Sequence, residues 1–139
     1  MNASQTTKKA VEYMMIWNAN SSNLLDVLAD ENIVVSYSHF PQPIHGIEAY
    51  KQALQQTYSY FPDIAIETTS VIPAEEAATV LWRYTGTHKA GNLFGVEATK
   101  KQVAVSGITI LEFKDGLVIK ESGIVDNLSL IMQLGVLKA

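Results

Sequence analysis

The pair Asp115-Gly116 sits between two β-rich apolar runs and constrains the fold more than any other feature of the chain. Asp-Gly in that setting favours a tight two-residue turn whose twist matches that of paired antiparallel strands. Residues 101–114, KQVAVSGITILEFK, and 117–126, LVIKESGIVD, are therefore expected to form a long hairpin. After Asp126 the spacing changes. Leu128, Ile131, Met132 and Leu134 fit a short amphipathic helix that stops at Gly135, a residue suited to the left-handed position after a helix end. A hairpin that ends in an Asp, with a helix folding back from it, leaves the upstream chain to cover one face and enclose a hollow.

A chain of 139 residues fits one domain, 1–139, large enough to bury roughly two-thirds of the surface its unfolded form exposes. Hydrophobic residues make up 47% and charged residues 17%, which leaves apolar surface for a partner to hide, so a homodimer through the outer face of the sheet is expected. The formal charge of -4 and a pI near 5.3 provide no basic face for phosphate backbones, so nucleic acid is not an expected partner. Cysteine is absent, which removes disulfides, thiolate nucleophiles and thiolate metal sites. No apolar run approaches membrane-spanning length, and MNASQTTKK is not followed by an uninterrupted apolar core, so no membrane association and a cytoplasmic location are expected. The Asn-x-Ser matches at Asn2, Asn20 and Asn127 are then chance matches to the glycosylation pattern.

Ser4 or Thr6 can cap a first helix in which Ala10, Tyr13, Met14 and Trp17 form one buried stripe. Asn23 can cap a short second helix carrying Leu24, Leu25, Val27 and Leu28. Ile33 to His39 reads as strand one, ended by Pro41 and Pro43. A third helix opens at Gly46, aligns Ile47, Tyr50, Leu54, Tyr58 and Phe61, and stops at Pro62. Ile64, Ile66 and Val71 mark strand two, Ala77 to His88 is strand three, and residues 91–95 form a loop before the hairpin. Helices first and antiparallel strands after them make an α+β fold: a curved antiparallel sheet wrapped on N-terminal helices to form a cone with a deep pocket.

No Gly-rich phosphate loop, nucleophile elbow or H-E-x-x-H helix is present, and the separation of His39, His45 and His88 gives no local metal motif. No metal and no cofactor is expected. Asp126 reads either as the N-cap of the last helix or as an acid/base carboxylate at the pocket rim. Arg83 interrupts the apolar run Val80-Leu81-Trp82. It either packs its stem and pairs with Glu67, Glu112 or Glu121 across the sheet, or points into the cone to hold a ligand oxygen. His39 and His88, at strand ends, are candidate neutral bases or donors against ordinary surface histidines. Tyr13, Trp17, Tyr37, Tyr58 and Trp82 read as core aromatics that become pocket walls if they cluster.

FPD at 61–63, the segment WRYTGTHKAGNLFGVEATKKQVAVSGITILEFKDGLV and the ending D-x-x-x-x-x-x-Q-L-G at 126–135 resemble the SnoaL-like polyketide cyclases. These belong to the cone-shaped α+β superfamily of nuclear transport factor two, ketosteroid isomerase, scytalone dehydratase and limonene epoxide hydrolase. The resemblance implies a deep pocket, a dimer, and cofactor-free acid/base chemistry such as aldol cyclisation or isomerisation. His88 matches a His of the family pattern, whereas the family's acid/base Asp position is Gly123 here and its accompanying His falls at Thr109. A strand residue two along also faces the pocket, which makes Glu121 the nearest carboxylate.

Two functions follow as expectations. An enzyme of cyclase, isomerase or lyase type would draw its base from Asp126, His88 or Glu121, with His39 as a further candidate and Arg83, Tyr37 or Thr109 as oxygen donors. A non-catalytic small-ligand-binding or dimerisation module needs only the cone, and Gly123 fits it better. In either case Tyr13, Trp17, Tyr37, His39, Arg83, Thr85 and Thr109 are expected to line a slot for a flat, largely apolar, polyketide-, steroid- or terpenoid-like molecule.

Overall fold

The computed structural model describes residues 1–137. Helix α1 (Ala3–Met14) continues through a 3₁₀ turn at Met15–Trp17, and a second 3₁₀ turn at Ser22–Leu24 leads into the single-turn α2 (Leu25–Leu28). Strands β1 (Ala29–Tyr37) and β2 (Ile44–His45) precede α3 (Ile47–Tyr60). Four strands follow, β3 (Ala65–Ala74), β4 (Ala77–Thr87), β5 (Gln102–Lys114) and β6 (Leu117–Val125), before α4 (Asn127–Leu134). Among the described residues no helix is long and apolar enough to cross a membrane.

The strands form one curved, unclosed sheet in the order β2-β1-β6-β5-β4-β3. All neighbours are antiparallel except β1 and β6. That parallel pair follows from α3 and the β3–β5 meander separating the two strands in sequence, which is ample chain for a crossover. Asp115 and Gly116 both take positive φ, 53° and 80°, as the tight turn between β5 and β6 requires. Helices α1 and α3 pack on the concave face.

Several boundaries differ from the expected ones, β1 ending at Tyr37 and β4 at Thr87 among them. Asn2, not Ser4 or Thr6, caps α1, because its side chain accepts the Gln5 amide while Gln5 returns a bond to the Asn2 amide. The helix at Leu25–Leu28 has no side-chain cap from Asn23, since a 3₁₀ turn already supplies its first residues. Strand β1 begins at Ala29 rather than Ile33, with a register shift between Ala29 and Val34 that sequence periodicity does not reveal.

The register sorts the concave face into transverse rows. Ala78, Leu111, Glu121 and Val35 form one deep row, and Val80, Thr109, Gly123 and Tyr37 form the next. Trp82, Gly107 and Val125 follow, then Tyr84 and Val105 toward the open end. Their odd-phase neighbours, Leu81, Arg83, Ile108, Ile110 and Ile124 among them, lie on the convex face.

Candidate functional site

Three elements converge on Glu121 of β6, which is fully buried. Tyr13 from α1 and Tyr50 from α3 donate their hydroxyls to Oε1 at 2.6 and 2.7 Å, and Tyr37 from β1 donates to Oε2 at 2.5 Å. A buried carboxylate without partners would be strongly disfavoured, and three phenol donors offset much of that. Burial nevertheless wins, holding the Glu121 carboxyl above its ordinary range while the tyrosine donors pull it down. Burial and the neighbouring Glu121 push Tyr13, Tyr37 and Tyr50 well above 10. Trp17 turns its indole N–H toward the same carboxylate, near enough to favour its ionised form, yet it makes no hydrogen bond of good geometry.

The chain of bonds continues across the sheet. Trp82 Nε1 donates to Thr109 Oγ1 at 2.8 Å, and Thr109 Oγ1 lies 2.8 Å from the Tyr37 hydroxyl. Since Tyr37 spends its one proton on Glu121, Thr109 donates its own to Tyr37 while accepting from Trp82, so every donor points the same way. Two glycines create the space. A Cβ on Gly107 would collide with the Trp82 indole, and one on Gly123 would come within 2.9 Å of Tyr37 Cε1 and collide with the Ile108 carbonyl oxygen. Both aromatic rings therefore lie flat across a strand that has no side chain at that point.

Above this layer opens a cavity of about 350 Å³. Trp17, Tyr37 and Tyr50 form its floor, Trp82, Tyr84 and Val125 its sheet wall, and Ala53, Thr57 and Tyr60 its helical wall. His39, Phe40, Leu93 and Phe94 stand at the mouth. Among the described residues no Asp, Glu, Lys or Arg lines it, and His39 is the one lining imidazole. Partial burial lowers the His39 pKa below its usual value, which keeps the imidazole neutral at pH 7.

Of the residues expected at the site, Trp17, Tyr37 and His39 line the cavity. Tyr13, Thr109 and Glu121 lie behind its floor, fully buried and sealed from it by Tyr37 and Tyr50. Arg83 and Thr85 do not point into the cone. They take the opposite strand phase from Trp82 and Tyr84, and Arg83 is exposed on the convex face opposite Glu67. Asp126 is an exposed N-cap that accepts the Ser129 amide at 3.1 Å, and its successor Asn127 is the residue that reaches the cavity. His88 is neither a surface residue nor a pocket base. Its Nδ1 accepts the Thr99 amide at 3.2 Å, so Nε2 carries the proton and donates to the Gly91 carbonyl at 2.8 Å. The imidazole thereby pins the loop that brings Leu93 and Phe94 to the mouth. Among the described residues no three His, Asp or Glu side chains are placed to share a metal ion.

Tyr50 and Tyr84 are among the site residues that the sequence did not single out. Tyr50 was legible only as one more member of a buried helical stripe, and Tyr84 lay hidden by the phase of β4.

A curved sheet closed by helices into a cone, with an apolar cavity opening at one end, defines the ketosteroid isomerase-like class of α+β folds. The SnoaL-like polyketide cyclase family model matches residues 9–134, and the chain belongs to that family. TsrD from Streptomyces laurentii superposes with a TM-score of 0.85 at 20% identity, over 99% of each chain. A SnoaL-like polyketide cyclase from Agrobacterium tumefaciens strain C58 gives 0.78 at 16% identity, covering 97% of this chain and 100% of its own. A protein with a ketosteroid isomerase-like fold from Catenulispora acidiphila DSM 44928, solved with trimethylamine, gives 0.77 at 16%, over 94% of each chain. At these identities the likeness is one of fold. No curated protein matches the chain.

Proposed function

We propose that this protein binds a small, flat, largely apolar and uncharged molecule, of polyketide, steroid or terpenoid type, in the cone cavity, and that it does so as a homodimer. The observation that carries the reading is the lining: aromatic and aliphatic walls with, among the described residues, no charged side chain from Asp, Glu, Lys or Arg. An anionic ligand would lose its hydration there and find no cation in return, since Arg83 lies on the other face. Glu121 serves in this reading as a polar pin that fixes α1, α3, β1 and β6 around the floor, not as a base that touches the ligand.

A second reading keeps cofactor-free acid/base chemistry, such as isomerisation or cyclisation. It is favoured by one feature: Tyr37 both lines the cavity and shares a short hydrogen bond with Glu121, so a proton has a path from the buried carboxyl to the cavity floor. Tryptophan-fluorescence titration tests the first reading, because Trp17 and Trp82 both line the cavity. A neutral tricyclic ketone should quench saturably, and the carboxylic acid of the same ring system should bind at least about tenfold more weakly. Equal or tighter binding of the carboxylate would overturn the uncharged-ligand reading. Deuterium exchange at the α-carbon of a bound ketone, abolished in Tyr37→Phe, would favour the second reading over simple binding.

A further inference from the structure

The chain has six tyrosines. Tyr13, Tyr37 and Tyr50 give their hydroxyls to Glu121, Tyr58 gives its own to the Ile16 carbonyl, and Tyr60 receives Gln56 Nε2. Tyr84 alone makes no side-chain hydrogen bond among the described residues, although its ring is half-buried and forms part of the cavity's sheet wall. Its hydroxyl is not among the buried polar atoms that lack a partner, so solvent reaches it, and a ligand that fills the cavity displaces that water and has to offer an acceptor in its place.

The ring is held from two sides. Trp82 stacks on it at 6.1 Å between centroids and 24° between planes, and Phe61 approaches at 6.0 Å. Trp82 is itself fixed by its bond to Thr109 over Gly107, so the buried network sets the position of Tyr84 without consuming its hydroxyl. Burial raises the phenol's pKa above 10, which keeps it a proton-bearing donor throughout the physiological range. His39 and Asn127 also line the cavity, but His39 is exposed at its mouth and Asn127 stands on α4, outside the stack of Phe61, Tyr84 and Trp82.

We infer that Tyr84 is the hydrogen-bond donor that recognises a carbonyl or ether oxygen on the ligand, which makes the natural ligand a neutral polycycle with an acceptor oxygen facing β4. The inference rests on the proposed small-ligand function of the cavity and adds the polarity and placement of the ligand's polar group. Because the donor is neutral and rigidly stacked, it selects an acceptor over a bare hydrocarbon without demanding a charge. Tyr84 supplies one directed bond in an otherwise apolar wall, the arrangement by which largely hydrophobic pockets orient their ligands.

Two tricyclic probes of matched shape test it: 9-fluorenone, which has one carbonyl, and fluorene, which has none. Each is titrated against the wild-type chain, Tyr84→Phe and Arg83→Ala, with thermal melts to confirm that the variants fold. Tyr84→Phe should weaken fluorenone binding by about 2- to 10-fold, the range of one neutral hydrogen bond, and leave fluorene unchanged. Arg83→Ala, on the convex face and away from the cavity, should affect neither. The carbonyl stretch of bound fluorenone should sit at lower frequency in the wild type than in Tyr84→Phe. Unchanged fluorenone affinity and carbonyl frequency in Tyr84→Phe would overturn the inference while leaving the cavity as a binding site. Equal weakening of both probes would also overturn it, making Tyr84 a wall and not a donor. If neither probe binds the wild type, both the cavity reading and this inference fall.

Discussion

Gly123 and Tyr37 share one volume: a Cβ on Gly123 would lie 2.9 Å from Tyr37 Cε1, so the ring occupies the space where a side chain at 123 would begin. The family resemblance places an acid/base Asp at that position. Here its room is taken by a phenol whose hydroxyl reaches Thr109 and Glu121, and the buried carboxylate stands two residues along the strand.

Gly123→Asp is therefore expected to destabilise the fold and not to install a base. Overpacking against Tyr37 and the β5 backbone, together with a buried carboxylate, should cost about 2 to 4 kcal/mol in chemical denaturation. Adding Tyr37→Ala relieves the ring contact but not the one with the Ile108 carbonyl, so the double variant should recover only part of the loss. A Gly123→Asp protein as stable as the wild type would contradict this account of the floor.

Stability should depend on pH through Glu121. Its folded pKa is raised, so as pH climbs above about 4.5 the unfolded chain releases its proton while the folded chain still holds it. Stability from this group is full below that pH and is lost as pH rises through the folded value. A second loss is expected above pH 10, where unfolded tyrosines ionise before Tyr13, Tyr37 and Tyr50. Urea midpoints across pH should show the first slope in wild type and its absence in Glu121→Gln. The amide fits if Tyr37 turns its proton to Thr109 and accepts from the Gln Nε2, at a cost of about 1 kcal/mol. Glu121→Leu strands the Tyr13 and Tyr50 donors, while Tyr37 can turn to Thr109, and should cost on the order of 3 kcal/mol.

Arg83→Ala should leave ligand affinity unchanged and stability within about 0.5 kcal/mol, since the side chain is exposed on the convex face. A tenfold loss of affinity in a calorimetric titration would return Arg83 to the site.

The convex face carries exposed Ile108, Ile110 and Ile124, the last 63% accessible, beside Leu81 in the same rows. Such a patch fits a self-complementary dimer interface. Sedimentation equilibrium at micromolar concentration should give a dimer, and Ile108→Glu with Ile124→Glu should give a monomer. A wild-type species of 15.3 kDa would contradict the proposed dimer.

That apolar convex face also explains where the sequence misleads. Period two is plain in β4, but Val80, Leu81 and Trp82 are all apolar, because Leu81 faces outward among isoleucines, and the phase of the strand is therefore ambiguous. Reading Arg83 and Thr85 as inward hid Tyr84. Features fixed by local chemistry were legible: the Asp115-Gly116 turn, the Asp126 cap and the helical stripe through Tyr13. The partners of Glu121 come from positions 13, 37 and 50, and only the folded chain brings these together. One clue was available. Glu121 lies in phase with the buried Leu111 row, and a carboxylate there requires donors, which the tyrosines of two buried helical stripes can provide.

Filling the cavity tests the central claim most directly. Ala53 lies on the α3 wall, and Ala53→Trp places an indole into the space that the ligand is proposed to occupy. Binding of 9-fluorenone, followed by isothermal titration, should be saturable in wild type and at least about a hundredfold weaker in Ala53→Trp. The variant's melting temperature should be unchanged or higher, because the added ring fills a void. Equal affinity in a folded Ala53→Trp protein would contradict the account, since the molecule would then be bound somewhere other than the cone.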